Sequence, residues 1–204
     1  NINLLINSSI LGFAVGIFTI FFATALSLSY RQSNKLKLLL SISTSGYAIP
    51  GSVISAGLLI GFDAIFGTSI TIYGIFGLIL CLGLRFMTPA YNYSSASLAN
   101  ISKSSENALS LIPSNPLKAF SSFYYPQMKS ALFLGFMIVF IECVKEQPET
   151  LLLRPVGFDT LSTKIYNFTS EGEWEMAASP SLLLIFLSLA FVYLINKSID
   201  LNTK

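Results

Sequence analysis

Long uncharged stretches separated by charged residues dominate this chain. Four of them are long enough to cross a bilayer as a helix, which takes about 20 apolar residues; they cover residues 1–30, 38–62, 64–84 and 176–196. A shorter apolar stretch, 130–141, completes a span if Lys129 extends to the interface and Glu142 lies at the far edge. We therefore predict an all-α fold, a polytopic membrane helix bundle forming one domain over residues 1–204. Its transmembrane helices, about five in number, are expected near residues 5–30, 40–62, 69–91, 128–145 and 179–197.

The composition agrees with a membrane protein and excludes several other classes. Of the 204 residues, 53% are hydrophobic and 11% are charged, whereas soluble domains carry about 25% charged residues. The formal net charge of +2 offers no nucleic-acid footprint. Since the chain has no histidine, it cannot build a histidine metal site or a Ser-His-Asp triad. Cys81 and Cys143 both lie in apolar runs, where packed thiols are the ordinary outcome.

The basic residues predict the orientation of the bundle, because lysine and arginine favour the cytoplasmic side of a membrane. With the N-terminal end outside, nine of them fall in inner segments: Arg31, Lys35, Lys37, Arg85, Lys103, Lys118, Lys129, Lys197 and Lys204. Three fall outside: Lys145, Arg154 and Lys164. We expect a multi-pass protein of the inner (plasma) membrane with a cytoplasmic C-terminal end.

The inner loop, residues 92–127, joins the third and fourth predicted spans. Apolar residues at helical spacing predict a helix up to about residue 112. Pro113 and Pro116 must end it, because two prolines in four residues cannot continue a helix. Asn115 suits an N-cap and Pro116 suits the first helical position, so a second helix is predicted over 117–125, before Pro126.

The outer loop, residues 146–178, begins beside a cluster of charged residues. Their spacing of i, i+3, i+4 and i+7 puts them on one face if the helix continues that far: Glu142, Lys145, Glu146 and Glu149. Two interpretations stay open, a paired cluster that docks the loop and a part of a transport pathway. Further along, Arg154 is expected to pair with a carboxylate, and Asp159 and Thr160 are candidate N-caps.

The inner loop carries a motif that resembles a known transporter family. Its residues are Glu106-x-Ala108-x-x-Leu111, a break, then Phe120 and Pro126. This order resembles the cytoplasmic coupling loop of binding-protein-dependent ABC importer permeases, although Asn107 and Ile112 depart from the family pattern.

A run of residues in the outer loop limits the resemblance to one group of importer permeases. Residues 145–161 read Lys-Glu-Gln-Pro, then Thr-Leu-Leu-Leu-Arg-Pro, then Asp-Thr-Leu, and they are similar to the most distinctive run of the ferric iron permeases. Residues 46–53 look like the second span of that group, and residues 85–92 look like the start of its inner loop. Permeases of this group carry two such halves in one chain, and the present chain resembles the second half. We therefore expect it to be part of a longer protein.

The resemblance implies an importer permease with a MetI-like core that translocates ferric iron by alternating access. It implies a dimer of ABC ATPase subunits on the inner loop, a periplasmic iron-binding protein on the outer face and a second permease half, all around a lipid bilayer. ATP and magnesium would be held by the ATPase, and no cofactor or metal by this chain. The coupling residues expected are Glu106, Ala108, Leu111, Pro113, Phe120 and Pro126. The residues expected at the outer gate or in translocation are Glu142, Lys145, Glu146, Glu149, Arg154 and Asp159.

Two other functions stay open. An importer permease for another small solute, such as sulfate, molybdate or thiamine, would have the same organisation. A secondary transporter would need ionisable sites near mid-membrane, and none of the five predicted spans has a charge at its centre. The chain is not expected to be an enzyme, because it has no Walker A motif for ATP hydrolysis.

Overall fold

The computed structural model describes residues 2–32, 36–67, 74–110 and 115–203. In chain order the helices are α1 (Ile2–Gln32), α2 (Lys37–Ser45), α3 (Gly51–Phe66), α4 (Ile75–Arg85), α5 (Met87–Ala99), α6 (Lys103–Ser110), α7 (Pro116–Ala119), α8 (Tyr125–Lys145), α9 (Pro148–Leu153), α10 (Leu161–Ser170) and α11 (Trp174–Thr203). A 3-10 turn (Gly46–Ala48) lies between α2 and α3, and a π-helical turn (Phe120–Tyr124) joins α7 to α8. The described ranges contain no strand, so the predicted all-α fold is confirmed.

The centre of the bundle is formed by α1, α5 and α8, which pack along one another. Two glycines one turn apart on α1 permit the close approach of α8. A Cβ on Gly12 would meet the ring of Phe140 at 2.8 Å, and a Cβ on Gly16 would meet Phe136 at 2.6 Å. Small residues at this spacing are common where membrane helices pack, since close backbone approach increases the van der Waals contact between helices.

Helix α11 lies at the edge of the bundle, against α8 and α10. Phe191 of α11 stacks on Phe140 of α8, with ring centroids 3.8 Å apart. Outward-facing side chains such as Phe186 and Leu189 are large, apolar and exposed. An apolar outer surface of this extent fits contact with lipid better than contact with water.

Within the described ranges, three helices are long and apolar enough to cross a membrane: Ile2–Gln32, Pro116–Lys145 and Trp174–Ile199. Helices α4 and α5 meet at 54° and provide a fourth crossing if they count as one bent span. The second predicted span, 40–62, is broken instead, because α2 ends at Ser45 and α3 begins at Gly51. Ile49 and Pro50 between them are extended, and a proline disfavours helical backbone at the residue before it.

The third predicted span, 69–91, differs from the helices observed. Helix α4 ends at Arg85, the chain bends at Phe86, and α5 continues to Ala99. If α4 and α5 form one bent span, it covers 75–99, and Arg85 lies within that span and not at its inner end. The other inner cations still outnumber the outer ones, and the orientation stays a prediction.

The two long loops lie at opposite ends of α1. Near its start, Asn7 Nδ2 donates to the carbonyl of Asp159 at 2.9 Å, and Ser8 Oγ accepts from the backbone N–H of Leu161 at 2.8 Å. Near its end, Arg31 forms an ion pair with Glu106 at 2.8 Å. The inner and outer loops thus lie at opposite ends of the bundle.

The inner loop is described only in part. Lys35, Leu111, Ile112, Pro113 and Lys204, which entered the sequence predictions, lie outside the described residues. The Asn115 side chain accepts a hydrogen bond from the backbone N–H of Leu117 at 3.1 Å, which confirms the predicted N-cap. The helix that follows does not stop before Pro126. The π-helical turn leads directly into α8, and Pro126, which has no N–H to donate, occupies its first turn.

Candidate functional site

An arginine and two glutamates meet inside the bundle, where the bend between α4 and α5 faces α9. Nη1 of Arg85 lies 3.1 Å from Glu146 Oε1 and 3.1 Å from Glu149 Oε1. The Glu149 side chain is fully buried, and that of Glu146 is 9% exposed. We call Arg85, Glu146 and Glu149 the buried charge cluster. One guanidinium serves two carboxylates, so the cluster has one excess negative charge when all three groups are ionised.

Small and weakly polar groups surround the buried charge cluster. Ser55 Oγ lies 3.8 Å from the Cys81 sulfur, and the Cys81 thiol faces Glu149. A Cβ on Gly51 would overlap Arg85 Nη1 and lie 2.7 Å from Glu149 Oε1, so a larger residue there would displace these two side chains. Among the described residues, Arg85 Nε and Glu149 Oε2 are buried without a nitrogen or oxygen partner. Since unpaired buried charged atoms are costly, this cluster is a candidate functional site.

The local sequence explains why Glu146 and Glu149 turn inward. Helix α8 ends at Lys145, and Glu146 has extended backbone. Pro148 then begins the short helix α9, where a missing N–H costs no hydrogen bond. This reversal buries Glu149, together with Leu153, against α3 and α4.

The prediction that Glu142, Lys145, Glu146 and Glu149 share one helical face is wrong, because the helix ends before the last two. Only Glu142 and Lys145 pair along α8, at 2.9 Å, and their side chains are 35% and 47% exposed. An exposed pair of this kind contributes about 0.5 kcal/mol or less. The chain reversal thus separates the four residues into a weak surface pair and the buried charge cluster.

The remainder of the outer loop is hydrogen-bonded to the backbone of the buried charge cluster. Arg154 pairs with Asp159 rather than with one of the carboxylates of Glu142, Glu146 and Glu149. Thr160 caps α10: its hydroxyl accepts from the N–H of Thr163 at 3.3 Å, while Thr163 Oγ1 accepts from the N–H of Thr160 at 2.9 Å. Ser162 Oγ donates to the Glu146 carbonyl at 2.7 Å, which connects α10 to the buried charge cluster.

The inner loop has its own charged contact. Glu106, in the first turn of α6, has a carboxylate 18% exposed and paired with Arg31. Ala108 on the same helix is exposed, and Phe120 is half-buried in the π-helical turn. The structure therefore brings Glu106 close to Arg31 and α5, while Ala108 stays open to a partner.

No group of three or more cysteine, aspartate and glutamate side chains is arranged to hold a metal ion in the part of the chain that is described. At the buried charge cluster, Arg85 itself occupies one oxygen of each carboxylate. The cluster is thus held together by ion pairs.

The sequence analysis did not identify Arg31, Arg85 or Gly51 as functional residues. A signal existed for Arg85, because it is a lone cation between apolar runs on both sides. Intramembrane ionisable residues of this kind commonly have a partner and a function. No comparable signal existed for Gly51, whose importance comes from neighbours distant in the chain.

Comparison with solved structures identifies the architecture. Over its whole length the chain matches a chain of the MetNI methionine ABC transporter, solved in inward-facing conformations, with a TM-score of 0.77. The match covers 100% of this chain and 96% of that chain at 16% sequence identity. The fold is that of an ABC importer permease. No protein-family model matches the sequence of this chain.

Curated relatives are ferric iron permeases. The chain is 26% identical over 151 residues to the Fe(3+)-transport system permease protein FbpB 2 of Haemophilus influenzae, covering 74% of this chain and 29% of that protein. It is 28% identical over 124 residues to the ferric transport system permease protein FbpB of Actinobacillus pleuropneumoniae, covering 59% and 18%. The expected similarity to this group is confirmed. The chain spans less than a third of the length of these relatives.

Proposed function

We propose that the chain is the membrane-spanning part of an ABC importer that translocates ferric iron delivered by a periplasmic binding protein. The observation that carries this proposal is the similarity to a ferric iron permease over 74% of the chain, together with the importer fold. A separate ATPase dimer binds ATP and magnesium, and a second permease half completes the pathway. The N-terminal end of the segment lies outside and the C-terminal end lies in the cytoplasm.

The inner loop is the proposed docking site of the ATPase. Ala108 is exposed on α6 and available to a partner. Phe120 lies in the π-helical turn that leads into α8, and Pro126 lies in the first turn of α8. Leu111 and Pro113 complete the expected docking segment. Closure of the ATPase dimer on ATP would move this loop and reorient the membrane helices. A shift from 1:99 to 99:1 between two states needs about 5.5 kcal/mol of differential binding, which nucleotide must supply through the loop.

The buried charge cluster, with Arg154 and Asp159, is the proposed outer gate. Three features support this role: Glu149 is fully buried, one of its oxygens has no nitrogen or oxygen partner in the described chain, and α10 is hydrogen-bonded to Glu146. Opening of the outer end would require α9 to leave α4 and the ion pairs to separate. The exposed Glu142–Lys145 pair lies at the mouth and contributes only surface charge.

The carboxylates also suit the proposed cargo. Ferric iron is a hard cation and prefers oxygen ligands such as carboxylates. A transport pathway must not bind its ion too tightly, or the ion would not leave. Because Arg85 already neutralises part of the cluster, any contact with iron there would be weak and transient.

Reconstitution tests the proposal. The full-length protein is purified with its ATPase and placed in proteoliposomes, and the iron-loaded binding protein is added. We expect iron-dependent stimulation of ATP hydrolysis and uptake of radioactive iron that requires ATP. Sulfate, molybdate and thiamine with their own binding proteins serve as controls. Uptake of one of these instead would assign a different solute, and uptake driven by an ion gradient without ATP would indicate a secondary transporter.

A further inference from the structure

At the inner end of α1, the side chain of Arg31 contacts both the end of α5 and the start of α6. Arg31 Nε lies 2.8 Å from Glu106 Oε1 and 3.0 Å from Oε2. Its Nη1 donates to the carbonyl of Leu98 and its Nη2 donates to the carbonyl of Ile101. The guanidinium, on a side chain 20% exposed, therefore contacts both the end of α5 and the beginning of α6.

The electrostatics of the helix ends favour this arrangement. The Leu98 carbonyl, in the last turn of α5, also accepts from the N–H of Ile101 at 3.0 Å. Carbonyls at the C-terminal end of a helix carry partial negative charge, which a cation stabilises. Glu106 lies in the first turn of α6, where an anion is favoured. The planar fork of arginine can serve a carboxylate and two carbonyls at once, whereas a lysine ammonium is a compact point charge.

A second side chain near this carboxylate comes from the turn that precedes α8. The Tyr124 side chain lies close to Glu106, and it packs against the apolar cluster that contains Leu98 and Ile101. Glu106 is therefore paired with Arg31 inside the protein, which leaves the exposed face of α6, with Ala108, for a partner.

We propose that Arg31 is the positioning residue of the coupling helix: it makes α6 and the inner ends of α1 and α5 move as one body. This inference rests on the proposed function, because it assigns the route by which motion of the docked loop enters the membrane helices. Glu106 then acts by holding Arg31, and the contact with the ATPase is made by the exposed residues of α6.

A distance measurement tests the mechanical part without any transport assay. In the full-length protein with Cys81 and Cys143 replaced, spin labels are placed at Ser29 and Ser104, both exposed. The unaltered Arg31 protein is expected to give one narrow distance distribution, with the same mean before and after ATP binding in the complex. In Arg31→Gln the distribution is expected to broaden, and in Lys197→Gln, a matched loss of an exposed cation on α11, it is expected to stay narrow.

Transport measurements test the functional part. Arg31→Gln should co-purify with the ATPase and hydrolyse ATP, while iron uptake per ATP falls about tenfold. Arg31→Lys, which keeps the charge, should give an intermediate loss if the glutamine variant does not accumulate. The exchange Arg31→Glu with Glu106→Arg should not restore coupling, because a carboxylate at position 31 would face the α5 carbonyls.

Three results would overturn the inference: an unchanged distance distribution in Arg31→Gln, unchanged uptake per ATP in that variant, or full recovery in the exchanged pair. A failure of the proposed function has a different signature. In that case the protein with Arg31 intact shows no iron-dependent uptake, while the distance measurement on the same protein still decides the role of Arg31.

Discussion

Arg85 Nη1 lies 3.1 Å from the fully buried carboxylate of Glu149, and this contact joins the bend of a membrane-crossing helix pair to the loop helix α9. The two residues are 64 positions apart in the chain. Glu146 shares the same nitrogen, so removal of the arginine leaves two buried or nearly buried carboxylates without a cation. Removal of Glu149 leaves Arg85 with one partner.

Loss of the arginine should therefore be the most damaging change at this site. We expect Arg85→Gln to lower the free energy of unfolding by about 3–5 kcal/mol, as for other broken buried ion pairs, and Glu149→Gln to lower it by less. Lys145→Gln, which removes a half-exposed cation from the weak surface pair, is the control and should cost about 0.5 kcal/mol or less. Thermal unfolding of the purified protein, monitored by tryptophan fluorescence, ranks the three variants by their loss of stability. Equal effects of Arg85→Gln and Lys145→Gln would contradict the buried charge cluster.

A side chain at position 51 should disturb the buried charge cluster. Its Cβ position overlaps Arg85 Nη1 and crowds Glu149, so Gly51→Ala must displace the ion pair or α3. We expect a marked fall in membrane abundance and in melting temperature. Gly57, on the same helix, has nothing within 4 Å of its Cβ position, so Gly57→Ala is the matched control and should be neutral or slightly stabilising. Similar behaviour of the two variants would show that α3 does not pack against Arg85 as described.

The exposed face of α6 should determine docking of the ATPase. Ala108→Arg changes an exposed position and leaves Glu106 and Arg31 intact, so the protein should insert and fold normally. We expect co-purification of the ATPase to fall strongly, together with iron uptake. Ala178→Arg, the same change at an exposed position near the other end of the bundle, should retain the ATPase. Normal recovery of the ATPase with Ala108→Arg would remove this residue from the docking surface.

Labelling from either side of the membrane tests the orientation. Cys81 and Cys143 are buried, so introduced cysteines should dominate the reaction with an impermeant maleimide. We expect Ser104→Cys on α6 to react only from the cytoplasmic side and Ser170→Cys at the end of α10 to react from outside. The two positions lie on loops at opposite ends of α1. Labelling of the pair from the reverse sides would invert the topology and every role that depends on it.

The sequence by itself determined the class of this protein and several local features. The scarcity of charges and the long apolar runs predict membrane helices, because charged side chains and backbone groups without hydrogen-bond partners are both costly in lipid. Local chemistry also sufficed for the N-cap at Asn115 and for a helix start at Thr160, since each depends on side chains within three residues. The similarity to ferric iron permeases was likewise visible in one continuous run.

The tertiary structure decided where the charges go. Spacing alone put Glu146 and Glu149 on the face of Glu142, but the chain reverses after Lys145 and turns them toward an arginine on α4. Helical structure continued past Arg85 into α5, since a cation that is paired within a helix bundle can lie between two apolar helices. Arg31 and Glu106 met because two helix ends converge there, 75 positions apart in the chain. Local patterns cannot specify such pairs, because their stability depends on a desolvated environment that exists only once the helices have packed.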